Sequence, residues 1–207
     1  MAKRLFDVVF SLLGLILLSP VLVVAASLVR IMSPGPVFFR QERIGRGFRP
    51  FTIYKFRTMV IDAPRLGAAI TCDDDPRITP VGRLLRKTKI DELPQLLNVL
   101  LGDMSFVGPR PEVRRYVELF RDDYQTVLTV RPGITDIASI TYRDEAAILG
   151  RAADPQAEYI DNILPHKIRL AKEYRQRSSV LFDLLLILRT IMAVVRPKPL
   201  PRTSGIS

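Results

Sequence analysis

The longest apolar stretch comes near the start of the chain. Residues 8–29 contain no charged side chain, which is enough to cross the roughly 30 Å hydrocarbon core of a bilayer as a straight helix. It is too long for the apolar region of a cleaved signal peptide, and no small-residue cleavage site follows it. Two features set it apart from a simple span. Ser19-Pro20 lies near its middle, where proline removes a backbone donor and kinks a helix, and the Ser19 hydroxyl can take up a freed carbonyl. Both flanks are basic, with Lys3 and Arg4 before and Arg30, Arg40, Arg43 and Arg46 after. Cationic flanks prefer the cytoplasmic side. A straight span puts one of them on the wrong side, whereas a helix that enters, breaks and returns satisfies both. The pattern leaves this re-entrant arrangement and a kinked span open, because spanning helices tolerate proline.

Ser33-Pro34-Gly35-Pro36 ends that element as a turn. Residues 37–39 and 51–54 read as short strands around a hairpin-like connection at Gly45-Arg46-Gly47. Residues 71–80 read as a loop. Its Asp73, Asp74 and Asp75 could bind metal, but a solvated turn capping the next helix is the preferred reading. A short basic helix follows over 81–87. Leu93, Leu96, Leu97, Leu100 and Leu101 fall at helical spacing on one stripe. Pro94 is tolerated only in a first turn, so this helix starts at about Asp91, and Gly102 ends it. Gly108-Pro109-Arg110-Pro111 is a rigid loop that holds Arg110. A helix is expected over 112–127, then a turn at Arg131-Pro132-Gly133, then charged helical sequence over 142–178. Residues 180–195 are apolar but carry Asp183 and Arg189, which disfavours a second span. An amphipathic helix at the interface or packed on the domain fits better. The Pro-rich tail from Arg196 reads as disordered.

The 207-residue chain is long enough for one domain with a real core plus an anchor. The expected division is residues 1–32 as a membrane helix-break-helix, 33–179 as a catalytic domain and 180–207 as an interfacial helix and flexible tail. The fold class is a helix-rich α/β arrangement with short strands and interfacial amphipathic helices.

Charge narrows the class of partner. The net charge is +10, an excess that must face something anionic. Arg40, Arg43, Arg46, Arg49, Lys55 and Arg57 crowd one stretch, which suits anionic lipid headgroups, phosphate groups or both. Trp is absent and no aromatic ladder for stacking bases is present, so no nucleic-acid partner is expected. The single Cys72 excludes an intramolecular disulfide, and the single His166 excludes a multi-His metal site. His166 reads as a surface or packing residue. Any metal would need oxygen ligands, which favours Mg²⁺.

Asp91-Glu92 is the candidate chemical centre. Acidic residues favour helix N-termini for structural reasons alone. Here, however, Arg83, Arg86, Lys87 and Lys89 precede the pair and the Arg110 loop follows it. A carboxylate can serve as a nucleophile, and phosphoryl transfer asks mainly for positioning and positive charge around the oxygens. Two adjacent carboxylates can divide roles, because each pushes the other's pKa away.

At this point the residues resemble the monotopic phosphoglycosyl transferases, or bacterial sugar transferase family. The resemblance runs over KRLFD at 3–7, the Ser19-Pro20 break, GPVFFRQERIG at 35–45, YKFRTM at 54–59, DPRITPVGRLLRKTKIDELPQLLNVLLGDMSFVGPRP at 75–111 and RPGIT at 131–135. The chain is similar to the minimal catalytic form of that family. The resemblance implies a re-entrant helix broken at Ser19 and Pro20, at the inner membrane of a bacterium, with the active site on the cytoplasmic face. It implies that Asp91 attacks the β-phosphate of a UDP-sugar, that UMP leaves, and that polyprenol (undecaprenyl) phosphate takes the phosphosugar from Asp91. This would be the first membrane step of glycan, exopolysaccharide or O-antigen synthesis. Glu92 would assist with the proton, Mg²⁺ would bridge Asp91 and the diphosphate, and Arg86 would bind phosphate. Pro109, Arg110 and Pro111 would hold the nucleotide. Lys55, Arg57 and Arg131 complete the expected substrate-binding set. Implied partners are the UDP-sugar, polyprenol phosphate and membrane lipids, with homo-oligomerisation left open.

One run departs from the family pattern. Where many members continue RPGIT with a Gly-Trp-Ala-Gln-Val-Asn-Gly-Arg-like sequence, this chain has DIASITYR at 136–143. The departure leaves the sugar unidentified. Two alternatives compete with the transferase: a membrane phosphatase or pyrophosphatase using the same aspartyl phosphate, and a basic membrane-docked scaffold.

Overall fold

A computed structural model describes residues 2–66, 71–72 and 75–195. The expected turn at Asp73-Asp74 and the tail from Arg196 lie outside the described residues. The described residues form a helix-rich α/β fold with two small two-stranded sheets among them.

The long apolar stretch forms α1 (Ala2–Leu17) and α2 (Ser19–Met32), which meet at a bend of 61°. The cause is local. Pro20 offers no N–H to the Ile16 carbonyl one turn back. The Ser19 hydroxyl donates to that carbonyl instead, at 2.7 Å, so the break leaves no orphaned acceptor there. Among the described residues, no single helix is long and apolar enough to cross a membrane, although the bent pair together has that length and composition.

The first polar residues of α1 fasten it to the rest of the fold. Arg4 donates to the Val99 and Leu100 carbonyls at 2.6 and 2.8 Å. Buried Asp7 accepts from the Ser105 hydroxyl and the Phe106 amide. Lys3 donates to the Val107 carbonyl and pairs with Asp183. At the other end, Ala25 and Val29 of α2 pack against Phe56, Val81 and Leu85.

Strands β1 (Phe38–Ile44) and β2 (Pro50–Phe56) pair antiparallel, Phe38 opposite Phe56, around a short 3₁₀ turn at Arg46–Phe48. The hairpin expected from the sequence is present, with longer strands. After α3 (Ala63–Leu66) comes α4 (Pro80–Thr88). The cap of α4 is not Asp75 but Thr79, which accepts from the Gly82 amide at 3.0 Å. Asp75 is not solvated either. It is buried and pairs with Arg77 at 2.6 Å.

A 3₁₀ turn over Ile90–Glu92 leads into α5 (Gln95–Leu101), which ends at Gly102 with φ +99. The leucine stripe is not wholly a core face. Leu96 and Val99 are buried, but Leu97 and Leu101 are exposed. The 3₁₀ turn and Pro94 rotate α5 so that two polar side chains, Gln95 and Asn98, also point inward. Asn98 accepts from the Tyr54 amide and donates to the Thr52 carbonyl, stitching α5 to β2.

β3 (Ser105–Val107) pairs in parallel with β4 (Gly133–Thr135), a ladder the turn signals did not reveal. The helix expected over 112–127 is two, α6 (Arg114–Leu119) and α7 (Arg121–Val127). Phe120 between them leaves helical geometry and packs against the main core. The charged region forms α8 (Ile137–Thr141), α9 (Glu145–Arg151), α10 (Pro155–Glu158), a π turn at Tyr159–Ile163 and α11 (Leu164–Arg177). Tyr116, Tyr124, Val127, Ile163, Leu164 and Ile168 build the main core here. His166 is a packing residue, 2.6 Å from the Tyr142 hydroxyl.

α12 (Val180–Val195) turns Asp183 and Leu186 inward. Asp183 meets Lys3 and accepts from the Tyr174 hydroxyl at 2.7 Å. Leu181, Leu184, Leu185, Leu188, Ile191 and Met192 stay exposed, giving the amphipathic helix its unpartnered apolar side.

Candidate active site

Four segments converge on Asp91-Glu92. Lys55 comes from β2, Arg86 from α4, the two carboxylates from the 3₁₀ turn, and Arg110 from the loop after β3. The turn begins at Lys89, whose left-handed backbone (φ 58) stops α4 and redirects the chain. The carboxylates therefore follow a sharp corner, with Asp91 buried and Glu92 partly buried.

Glu92 is gripped from two sides. Lys55 Nζ donates to Glu92 Oε1 at 2.8 Å, and Arg110 donates to the same oxygen at 2.5 Å. Burial pushes the Glu92 carboxyl upward, but the charges and hydrogen bonds of Arg110 and Lys55 outweigh it and hold the group well below the ordinary glutamate value. Asp91 goes the other way. Burial, then the neighbouring Glu92 charge, pushes its carboxyl up to about 6, with Lys55, Lys89 and Arg86 opposing the rise. Its Oδ1 is buried without a hydrogen-bond partner among the described residues. The pair is thus split into one carboxyl held low by two cations and one raised to about 6, with its Oδ1 unpartnered among the described residues.

The cations show the same tension. Burial lowers the Lys55 ammonium, while Glu92 and Asp91 hold it up. Burial also lowers Arg86, partly offset by Asp91. Arg86 is oriented by a 2.8 Å hydrogen bond from Nε to the Thr58 hydroxyl, leaving the end of its guanidinium for another anion.

Other expected site residues have different surroundings. Arg57 is buried under the turn that follows α2, where it donates to the Ser33 carbonyl at 2.7 Å and has Arg30 as its charged neighbour. Arg131 donates to the Gly102 carbonyl at 2.8 Å and, with Arg4, covers the C-terminal end of α5. Neither is brought to Asp91-Glu92 by a hydrogen bond. Ser19 and Pro20 lie at the helix bend, as described above.

The Arg110 loop is held by its neighbours. Gly108 and Gly133 stand so close that a Cβ on Gly133 would lie 2.1 Å from the Gly108 nitrogen, which restricts this crossing to glycine. The Gly108 amide donates to the Thr135 carbonyl, and the Gly133 amide donates to the Pro109 carbonyl. Arg43 donates to the Pro111 carbonyl at 3.1 Å.

The model of the family described as bacterial sugar transferase matches residues 1–197. This chain belongs to the bacterial sugar transferase family. It is 39% identical over 196 residues to a UDP-N-acetylgalactosamine-undecaprenyl-phosphate N-acetylgalactosaminephosphotransferase of Aeromonas hydrophila, covering 93% of this chain and 43% of the relative. It is 38% identical over 193 residues to a UDP-glucose:undecaprenyl-phosphate glucose-1-phosphate transferase of Escherichia coli, covering 91% of this chain and 39% of the relative. The exopolysaccharide production protein ExoY of Sinorhizobium fredii is 35% identical over 208 residues, covering 93% of this chain and 85% of the relative. The chain thus spans about two fifths of the length of the first two relatives and most of the third.

Within this sugar transferase fold, no group of three or more Asp, Glu, His or Cys side chains is gathered for a metal among the described residues. The donor set still suits Mg²⁺, which commonly takes one or two carboxylates and completes its shell with water and substrate phosphate oxygens. The buried Oδ1 of Asp91, without a hydrogen-bond partner among the described residues, is a donor that would fit such a shell.

Two contributors escaped the sequence reading. Arg43 belongs by sequence to the basic stretch expected to face anions, yet it is largely buried and binds the Arg110 loop and Glu112. Asp136 opens the run that departs from the family pattern, and it touches that loop directly. A signal for Asp136 is present, since an Asp directly before the apolar residues Ile137, Ala138 and Ile140 is an N-cap candidate. Arg43 carried no such signal, because its role depends on strands and loops meeting across 68 residues of chain.

Proposed function

We propose that this family member transfers a sugar 1-phosphate from a UDP-sugar to polyprenol phosphate through an aspartyl-phosphosugar on Asp91, releasing UMP. The observation that carries the proposal is the division of the carboxylate pair, with Asp91 Oδ1 unpaired and Glu92 locked between Lys55 and Arg110. The named relatives from Aeromonas hydrophila and Escherichia coli act on UDP-sugars and undecaprenyl phosphate, in keeping with this chemistry.

In the first half-reaction an Asp91 oxygen forms a bond to the β-phosphorus. The bond from that phosphorus to the bridging oxygen breaks, and UMP leaves with the electron pair. In the second, a phosphate oxygen of polyprenol phosphate attacks the same phosphorus, and Asp91 leaves as a free carboxylate. Arg86, Lys55 and Arg110 surround the phosphoryl oxygens with positive charge, which matters because an anionic nucleophile must approach an anionic diphosphate. Mg²⁺ held by Asp91 and by diphosphate oxygens would further neutralise that charge. Glu92, kept ionised by two cations, serves here to anchor Lys55 and Arg110 rather than to carry a proton.

The membrane arrangement we propose is re-entrant. Lys3 and Arg4 at the start of α1 bond to β3 and α5, and the end of α2 packs on β2 and α4. Both ends of the bent pair therefore lie against one domain, as expected if the helix returns to the face it entered. At about 24 and 21 Å long, the two arms leave Leu12, Leu13, Ile16, Leu17, Val23 and Val24 exposed for lipid contact. The exposed apolar side of α12 would rest at the same interface. This puts Asp91 at the cytoplasmic membrane face, within reach of a soluble nucleotide-sugar and a lipid phosphate.

The test is UMP release by the purified full chain in nanodiscs, screened over UDP-sugars with and without undecaprenyl phosphate. Sustained UMP release that needs the lipid and yields a lipid-linked sugar is expected. Sustained release without the lipid, and without a lipid product, identifies a hydrolase instead.

A further inference from the structure

Asp136 opens the run in which this chain departs from the family pattern, and its position in the fold is specific. Its side chain is only 3% exposed. One carboxylate oxygen accepts from the Arg110 backbone amide at 3.1 Å, and the other accepts from the Ser139 amide at 2.6 Å, capping α8. The Arg110 amide sits between two prolines, which cannot donate, so this amide is the one backbone donor in Pro109-Arg110-Pro111. Arg110 in turn grips Glu92. The contacts form a chain from Asp136 through the Arg110 backbone and guanidinium to Glu92, beside Asp91.

We propose that Asp136 is a positioning residue that fixes the Arg110 loop for nucleotide-sugar binding, which makes the 136–139 turn a determinant of affinity for the donor substrate. The claim rests on the transferase reading above and goes beyond it, because it assigns a role to the segment where this chain leaves the common sequence. A carboxylate oxygen accepting from a backbone amide is a directional restraint. Its loss would loosen, at Arg110 itself, a loop whose side chain must be well placed to meet a diphosphate. Asp136 touches no reacting atom and acts only through Arg110.

The experiment is a double-mutant cycle on UMP release by the full chain in nanodiscs with undecaprenyl phosphate. Asp136→Ala is expected to raise KM for the UDP-sugar about tenfold, the size expected for losing one such hydrogen bond, with a smaller change in kcat. Asp136→Asn keeps one acceptor oxygen and is expected to fall between wild type and Asp136→Ala. In an Arg110→Ala background, Asp136→Ala is expected to raise KM much less, because the guanidinium it positions is gone. Equal effects in both backgrounds show a general structural role and overturn the proposal, as does an unchanged KM in Asp136→Ala. If Asp136→Ala fails to fold, the same cycle is run with Asp136→Asn, with the same two overturning results. Absence of UMP release by wild type on every UDP-sugar overturns the transferase reading and this assignment together.

Discussion

Arg110 donates to Glu92 at 2.5 Å, joining the loop after β3 to the 3₁₀ turn before α5 across 18 residues of sequence. Lys55 donates to the same oxygen. This shared acceptor fixes two cations on one side of the site and leaves Asp91 Oδ1 without a hydrogen-bond partner among the described residues.

Removing the shared acceptor should therefore cost both activity and stability. Glu92→Gln leaves Lys55 and Arg110 partly buried without their counter-charge. Breaking a pair of this kind costs roughly 3 kcal/mol. A lower Tm and a drop in UMP release of at least tenfold are expected, measured on the same preparation. An unchanged Tm would mean that Glu92 does not anchor the two cations.

Asp91 should show the opposite relation between activity and stability. Its folded-state pKa of about 6 lies above the ordinary 3.8, so its ionisation destabilises the fold. That cost grows as pH rises from about 4 to about 6 and is fully present above. Asp91→Asn removes it and should raise stability at pH 7.5 by on the order of 1–3 kcal/mol while abolishing UMP release. Thermal melts at pH 7.5 and pH 4 check the sign, with the gain expected only at the higher pH. Full turnover by Asp91→Asn would remove Asp91 from the nucleophile role.

The same ionisation sets the acid limb of the reaction. UMP release should rise with pH through about 6 as Asp91 loses its proton. Lys55 is the foremost of the cations that oppose the rise in Asp91, so Lys55→Met should move the limb to higher pH. A pH profile of the first half-reaction in wild type and Lys55→Met measures this. A limb that stays in place would mean that Asp91 is not the group titrating.

The bent helix pair makes a topological prediction. With Cys72 replaced by Ser, single cysteines at Ala2 and Arg40 should both react with a membrane-impermeant reagent from the cytoplasmic side. Labelling of position 2 from the opposite side alone would convert the re-entrant arrangement into a kinked span.

What the sequence revealed followed the range of the physics involved. The Ser19-Pro20 break, the hairpin and the Gly102 helix end are local, governed by a missing donor, strand alternation and a positive φ, and they were legible. Asp91 and Glu92 were legible as a pair beside basic residues, because the cations at Arg86 and Lys89 are near in sequence. The division between them was not, since it depends on Lys55 and Arg110 arriving from two other elements. The inward turn of Asn98, the β3–β4 ladder and the break at Phe120 were hidden for the same reason. Each is imposed by tertiary contacts that override a helical or turn pattern. Arg131 illustrates the converse: it lies in a recognisable motif, yet its hydrogen bond goes to the end of α5.

The central claim is that Asp91 carries the phosphosugar. It is tested most directly by quenching the full chain with a UDP-sugar in the absence of lipid acceptor and weighing the peptide that contains Asp91. The account predicts about one equivalent of UMP per protein and a mass increase of one sugar phosphate on Asp91, discharged when undecaprenyl phosphate is added and absent in Asp91→Asn. Release of UMP with no adduct on that peptide, or an adduct that undecaprenyl phosphate does not discharge, would contradict it.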